Sequence, residues 1–344
     1  MRLSESLQRN IMKVNVGILL NMFLGRTRRD ILIFEDLLAS YIKECEKSGY
    51  AERLKNIHKV CSAMTVQSLL TKNLKTLPFA FLTKIVGRVW KNLGLVDYLH
   101  VTKKGNFIEI ETKNEFLTRI IGKNISMVGF YEGILNGFFK SEIECSEILQ
   151  TKNNCKYIFK IKTTPFVINK KDMKIYGKLN YSHSIKGFTF KDAIKRDIFQ
   201  LKQNKIYFRG KSMIPLENTI FHLLSNEGLL LEKLSQISYN FFKDIVEKQS
   251  TKEKKLILLK NFLQLIGWGS ANISIIKNDK ILLEIRNPPY GLQNEKDNWQ
   301  IFYRIILGYL WLLDKKYKIK SIKESHKVLE VLFVKHYDKK IRCN

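Results

Sequence analysis

Cys145 and Cys155 are the side chains whose type and spacing point most directly to chemistry. They lie on or beside neighbouring strands expected over Glu142–Leu149 and Tyr157–Lys162. Thiolate sulfur and imidazole nitrogen are zinc ligands, so with Glu144, Glu147 or His100 the pair forms a candidate metal set. The plainer reading is two small residues buried in a sheet. The other cysteines (Cys45, Cys61, Cys343) are scattered, no pair has CxxC spacing, and the total of five is odd. Neither a zinc ribbon nor a disulfide framework is expected. His58, His100, His183, His222, His326 and His336 show no HExxH spacing, and no GxSxG, P-loop or GxGxxG run occurs. A binding role is therefore expected ahead of an enzymatic one.

Two further groups are candidates for binding. Gly129, Gly133 and Gly137, with Tyr131 among them, recur every four residues in the run MVGFYEGILNGFF. They place a bare stripe on one helix face, which serves either close helix packing or a groove for a ligand. Arg26, Arg28 and Arg29 form the densest arginine cluster, and Lys195, Arg196 and Arg209 fall in a lysine-rich, aromatic-interleaved stretch from Lys160 to Lys211. Basic surface with interleaved aromatics can hold single-stranded nucleic acid. The same pattern arises from an amphipathic sheet with its aromatics inside and its lysines in water. The net charge of +28 attracts polyanions. Its carriers are mostly Lys, in a chain also rich in Ile and Asn, so residue usage offers a second explanation.

The elements that must position these groups occur twice. Val89–Asn114 and Phe262–Asn287 both pass from a helix end through an apolar-Gly stop (Leu93-Gly94, Ile266-Gly267) into a hairpin. Glu111 and Glu284 hold equivalent places in the second strands, with Lys113 and Arg286 two residues on as ion-pair partners. An apolar helix follows in each copy, Ile125–Phe139 and about Trp299–Leu313, with Gly308 in the place of Gly133. Each copy closes with a strand pair, the second over Lys318–Ser325 and Val328–Val334. Upstream, Val16–Leu24 reads as an apolar helix matching Thr219–Leu224, and Asp36–Lys47 as an amphipathic helix matching Gln236–Lys248. A helical insertion is expected over about Ala51–Lys75, and a short helix over Lys191–Leu201.

Lys205–Leu224 resembles the opening strand-Gly-strand-helix of the 4-vinyl reductase domain, and Leu93–Lys162 resembles the remainder of that domain. The resemblance implies an α+β fold of two antiparallel sheets packed against helices, related to vesicle-tethering TRAPP subunits and haem-binding NO sensors. It divides the chain into a first domain over residues 1–162, a basic β-rich connector over 163–204 and a diverged second domain over 205–344. It further implies a small-molecule-binding sensor, regulator or scaffold, dimeric or pseudo-symmetric within one chain. Its cofactor is undetermined, a metal or a tetrapyrrole-like apolar molecule standing as alternatives. A nucleic-acid-binding protein is the rival reading, and tetrapyrrole vinyl reduction a distant third. The family's closing hairpin runs Glu-x-x-Cys, Gly-Asp, Cys-x-Phe. Glu142, Cys145 and Phe159 match it, whereas Asn153-Asn154 stands for Gly-Asp and Tyr157 for the second cysteine. The first residues lack the order of a signal peptide and the apolar runs are short of a bilayer span, so a soluble, cytoplasmic protein is expected.

Overall fold

The computed structural model describes residues 12–15, 18–21, 28–69, 78–169, 190–246, 251–277, 280–286, 288, 299–324 and 328–336. Strands β1 (Met12–Asn15), β2 (Ile18–Asn21) and β3 (Arg28–Phe34) lead into helices α1 (Glu35–Cys45), α2 (Ala51–Leu69) and α3 (Phe79–Asn92). The hairpin β4 (Tyr98–Lys104) and β5 (Phe107–Lys113) follows, then a single turn α4 (Thr118–Ile121) and helix α5 (Ser126–Phe139). The hairpin β6 (Ser141–Gln150) and β7 (Asn154–Pro165) closes the first half. After the short helix α6 (Phe190–Lys195), the same order returns. It runs β8 (Gln200–Lys202), β9 (Lys205–Phe208), β10 (Lys211–Glu217), α7 (Thr219–Glu227), α8 (Leu231–Ile245) and α9 (Lys252–Leu265). It ends with β11 (Ser270–Lys277), β12 (Lys280–Arg286), α10 (Gln300–Leu310), β13 (Tyr317–Glu324) and β14 (Val328–Lys335).

The fold is α+β, with three antiparallel sheets. The hairpin-helix-hairpin units form four-stranded sheets of identical order, β4-β5-β7-β6 and β11-β12-β14-β13. A central six-stranded sheet, β1-β2-β3-β10-β9-β8, takes three strands from each half. Its two halves meet at β3 and β10, where Leu32 lies opposite Pro215 and Asp30 opposite Glu217. The pairing is self-complementary about the Leu32–Pro215 pair, as in an isologous dimer interface. The counterpart of Asp30 and Glu217 on the other side of this pseudo-dyad is therefore Met213 and Phe34.

Three expectations need correction. Val16–Leu24 is not a helix where it is described, because Ile18–Asn21 forms β2. A short apolar run carries no period that separates a strand from a helix. Within the expected insertion over Ala51–Lys75, residues 51–69 are not an insertion, because α2 occupies the place that α8 holds in the second half, and residues 70–75 lie outside the described residues. The true partner of α1 is thus α7, one helix earlier than the periodicity suggests. The expected helix over Lys191–Leu201 also stops at Lys195, with Asp197 turning left-handed (φ 55°) before β8.

The apolar-Gly stops end α3 and α9 in the same way. Gly94 and Gly267 have φ of 72° and 87°, a conformation that glycine adopts without strain. Gly94 N donates to Lys91 O (3.1 Å) and Leu95 N to Trp90 O (2.9 Å), the paired bonds of a Schellman cap. Gly267 and Trp268 repeat them on Gln264 O and Leu263 O at 3.4 and 3.0 Å. Among the described residues no helix is long and apolar enough to cross a membrane.

Candidate ligand-binding site

The glycine stripe faces helix α2. A Cβ added at Gly129 or Gly133 would come within 3.0 Å of the backbone carbonyl of Lys55 or Lys59, and one at Gly137 would stand 2.7 Å from Val66 Cβ. Gly308 meets Ser235 and Ser238 of α8 in the same manner. The stripe therefore brings two helix backbones together, and its open side is filled by helix rather than by a groove. Tyr131, on another face of α5, does line a space.

That space is a cavity of about 270 Å³ lined by α2, α3, α5, α7 and the ends of β3 and β10. It exceeds the roughly 150 Å³ apolar cavity known to take up benzene. Its roof is α3, whose Leu82, Ile85, Val86, Val89, Trp90 and Leu93 recur at helical spacing and all line the cavity. Of these six, Leu82 alone is fully buried. The apolar face of α3 spans the space without closing onto the helices below.

Every lining residue of the corresponding place in the second half has a counterpart in this cavity, yet only about 20 Å³ is open there. The glycine contacts align α2 with α8 and α5 with α10, the Schellman caps align α3 with α9, and the pseudo-dyad aligns β3 with β10. Four exchanges then account for the difference. Val66, Val89, Ile134 and Glu217 at the first site correspond to Phe242, Phe262, Tyr309 and Phe34 at the second. These four aromatics fill the second site as one cluster: Phe34 stacks on Phe262 with centroids 5.4 Å apart, and Phe242 meets Tyr309 at 5.0 Å.

One end of the cavity is polar. His58, Ser62 and Thr65 lie along one face of α2, where the second half has Leu234, Ser238 and Phe241. Ser238 donates to Ile305 O (2.7 Å), whereas the buried Ser62 hydroxyl has no hydrogen-bond partner. Thr65 donates to Glu217 (3.1 Å), and Asp30 stands directly opposite Glu217 on the same sheet face. His58 Nδ1 lies 2.8 Å from Leu54 O, and burial pushes its pKa down to about 4. The ring is therefore neutral at pH 7 with its proton on Nδ1, which leaves Nε2 as an acceptor.

Behind Tyr131 sits a fully buried carboxylate, Glu115. Tyr131 and Thr112 donate to its Oε1 (2.7 and 2.9 Å), and Tyr157 and Thr118 to its Oε2 (2.6 and 2.5 Å). Burial, and then the charge of Glu115, raises both tyrosine pKa values, so the phenols stay protonated as donors. The second half places Ile285, Ile306 and Val331 where Thr112, Tyr131 and Tyr157 stand, and has no such network at those positions. The network fixes the Tyr131 ring as a wall of the cavity.

No protein-family model matches the chain, and no curated protein matches its sequence. The site must accordingly be read from its own residues.

The two cysteines are not brought together. Cys155 lies opposite Gln150 and Cys145 opposite Phe159, so about 15 Å of strand separates them. Burial first, and then Glu132 beside Cys145 and Glu115 beside Cys155, pushes each thiol up to about 11. Metal ligation needs the thiolate. Among the described residues no group of three or more His, Cys, Asp or Glu side chains is placed to hold a metal ion.

The basic candidates fall on several elements. Arg28 and Arg29 open β3, and Arg26 lies outside the described residues. Lys195 ends α6 and Arg196 follows it in the turn. Arg209 Nη1 donates to Ile245 O (2.9 Å) at the C-terminus of α8, a cation meeting a helix carbonyl end. Glu111 and Glu284 stand on outer strand faces, with Lys156 4.0 Å from Glu111 and Arg286 3.0 Å from Glu284. Lys113 instead lies over the Tyr98 ring.

Sequence reasoning missed His58, Ser62, Thr65, Glu217 and the whole roof of the cavity. The signal was present as Val and Ile in one copy against Phe and Tyr in the other. Reading α2 as an insertion removed the alignment that would have exposed it.

Two predictions arise from this geometry. In the second half, Leu32 N donates to Ile266 O (2.9 Å) and ties the end of α9 to the central sheet. The equivalent donor in the first half is Pro215, which has no N–H to give Leu93. Pro215→Ala is expected to raise amide-exchange protection in α3 by roughly fivefold, the worth of about 1 kcal/mol. Unchanged protection would show that the missing tether does not govern α3. The second concerns acid. His58 and His222 are buried with pKa values lowered to about 4 and about 3, mainly by burial. Each folded value lies below the unfolded one, so the unfolded chain binds the extra protons. Stability is then greatest above pH 6.5 and falls as pH drops toward 4, by up to about 3 kcal/mol for each ring. In urea titrations His58→Leu should flatten this fall; an equally steep fall in the variant would place its origin elsewhere.

Proposed function

We propose that this protein is a non-catalytic small-molecule-binding sensor or scaffold, with one ligand site in its first half and a second half that serves as its structural partner. The observation carrying this reading is the contrast between two equivalent places in one chain: a cavity of about 270 Å³ against one of about 20 Å³ filled by aromatics. A cavity kept open beside a filled counterpart, with a few polar groups at one end, has the composition of a ligand pocket. The role agrees with what the resemblance to the 4-vinyl reductase domain implies.

The test transfers the second half's filling into the first. Val89→Phe with Ile134→Tyr should remove any ligand mass seen in native mass spectrometry of the purified chain. It should also abolish uptake of an apolar fluorescent probe and leave thermal stability unchanged or raised, since added side chains occupy empty volume. Equal probe uptake by the filled variant and the parent chain would refute a site in this cavity.

A further inference from the structure

From the outer face of the roof helix we infer that α3 docks on an anionic lipid surface, and that the cavity beneath it draws its apolar ligand from that surface. The origin of the ligand rests on the cavity reading above; the docking does not.

Phe81, Lys84, Arg88 and Lys91 follow one another at helical spacing on α3 and are all exposed, Phe81 by 51%. The helix contains no Asp or Glu. Among the described residues no carboxylate pairs with Lys84, Arg88 or Lys91. Residue usage alone would repeat this stripe in α9. Aligned through the caps at Gly94 and Gly267, α9 has Lys254, Ile257, Asn261 and Gln264 in these places, one cation instead of three. Three unpaired cations beside an exposed ring are complementary to a leaflet of anionic lipids: the phosphates meet the cations and the ring enters the acyl boundary.

The same helix roofs the cavity, and its underside is less covered than that of its counterpart. Val86, Val89, Trp90 and Leu93 line the cavity and keep part of their surface exposed. Leu259, Phe262, Leu263 and Ile266, in the corresponding places of α9, are all buried. The bond from Leu32 N to Ile266 O ties α9 to the central sheet, and Pro215 offers α3 no such bond. Docking by the outer stripe therefore brings a partly exposed apolar row, on a roof tied less firmly to the sheet, up to the bilayer. An apolar molecule passes along α3 from lipid to cavity without crossing bulk water, where its exposure is unfavourable.

The experiment offers the full chain vesicles of phosphatidylcholine alone, or of an equal mixture with phosphatidylglycerol. Flotation should recover the chain with the mixed vesicles and not with phosphatidylcholine alone. Lys84→Glu with Arg88→Glu should weaken that binding about 25-fold or more, at about fivefold for each lost cation. Lys243→Glu with Lys254→Glu makes the same change in net charge on α8 and α9, and should leave binding within about threefold of the parent. Neutral N-phenyl-1-naphthylamine offered in solution should enter all three proteins equally. Offered in mixed vesicles, it should reach the α3 variant about tenfold more slowly than the parent. Docking by α3 on lipid is overturned, with the cavity reading intact, by any of three results: no vesicle binding by the parent, equal binding by the two variants, or loss of a single-stranded oligonucleotide in step with the vesicles. Probe transfer from vesicles to the α3 variant at the parent's rate overturns the membrane origin of the ligand. Failure of the probe to enter any of the three proteins from solution overturns the cavity reading, while flotation still decides the docking.

Discussion

Gly133→Ala is expected to destabilise the protein by about 3 kcal/mol, although it adds a single methyl group and improves intrinsic helix propensity. The added carbon would lie within 3.0 Å of the Lys59 carbonyl oxygen, and neither partner is a flexible side-chain tip. Helices α5 and α2 would have to separate, and α5 is buried on nearly every side between α2 and the sheet β4–β7. Separation would also disturb Lys55, which reaches Glu132 at 3.0 Å, and the Glu46 carboxylate, which accepts from Ile125 N (3.0 Å) at the start of α5. Gly87→Ala in α3 supplies the control. Its Cβ would meet Leu99 at an ordinary 3.5 Å, so helix propensity decides and a gain of up to about 1 kcal/mol is expected. Urea unfolding of both variants reads the contrast. Equal and small effects would mean that the glycines are not what sets the spacing of the two helices.

Arg119→Met is expected to cost a similar 3–5 kcal/mol, for an electrostatic reason. The Arg119 guanidinium pairs with Glu35, itself 1% exposed, and donates to Gly94 O (2.8 Å) and Asn114 O (2.6 Å). It thus joins the end of α3, the end of β5 and the start of α1. Ser212 donates to the other Glu35 oxygen at 2.7 Å, which brings in β10 of the second half. Removing the guanidinium strands a buried carboxylate with one hydroxyl partner and leaves two carbonyls without their donor. Arg119→Met combined with Glu35→Gln should recover part of the loss, because the stranded charge is gone. The exposed pair of Arg53 and Glu227 gives the comparison, and Arg53→Ala should change stability by less than about 1 kcal/mol. A loss below 1 kcal/mol for Arg119→Met would show that this cluster does not hold the first half to the central sheet.

The sequence by itself determined a good deal of this protein. Its α+β class, the two hairpin-helix-hairpin units, the glycine stops at Gly94 and Gly267 and the kinship of Gly133 with Gly308 were all legible. Each depends on local chemistry: alternation along a strand, a residue that accepts positive φ, or a small side chain recurring on one helix face. Other features lay beyond local reading. VGILLNMFL over Val16–Leu24 has no period that tells strand from helix, and what decides it is the pairing of β2 with its neighbours β1 and β3. The order of the central sheet, with β3 of one half beside β10 of the other, is likewise set by pairing across 180 or so residues of chain.

The candidate site belongs to that second category. Cys145 and Cys155 fall on or beside adjacent strands and could have met across the hairpin, but antiparallel register places them far apart along the sheet. The glycine stripe allowed either close helix packing or a groove, and the backbone of α2 lies against it. The cavity instead needs Val66, Val89, Ile134 and Glu217 from four separate elements, and the last of these, β10, belongs to the other half and is brought there by its pairing with β3. None of these residues is unusual where it stands. They matter because equivalent positions at the other site are filled by Phe242, Phe262, Tyr309 and Phe34, and an unfilled volume is a property of packed elements rather than of any residue. Composition and spacing could announce two copies of one fold; which copy is hollow was decided by side chains that converge only in three dimensions.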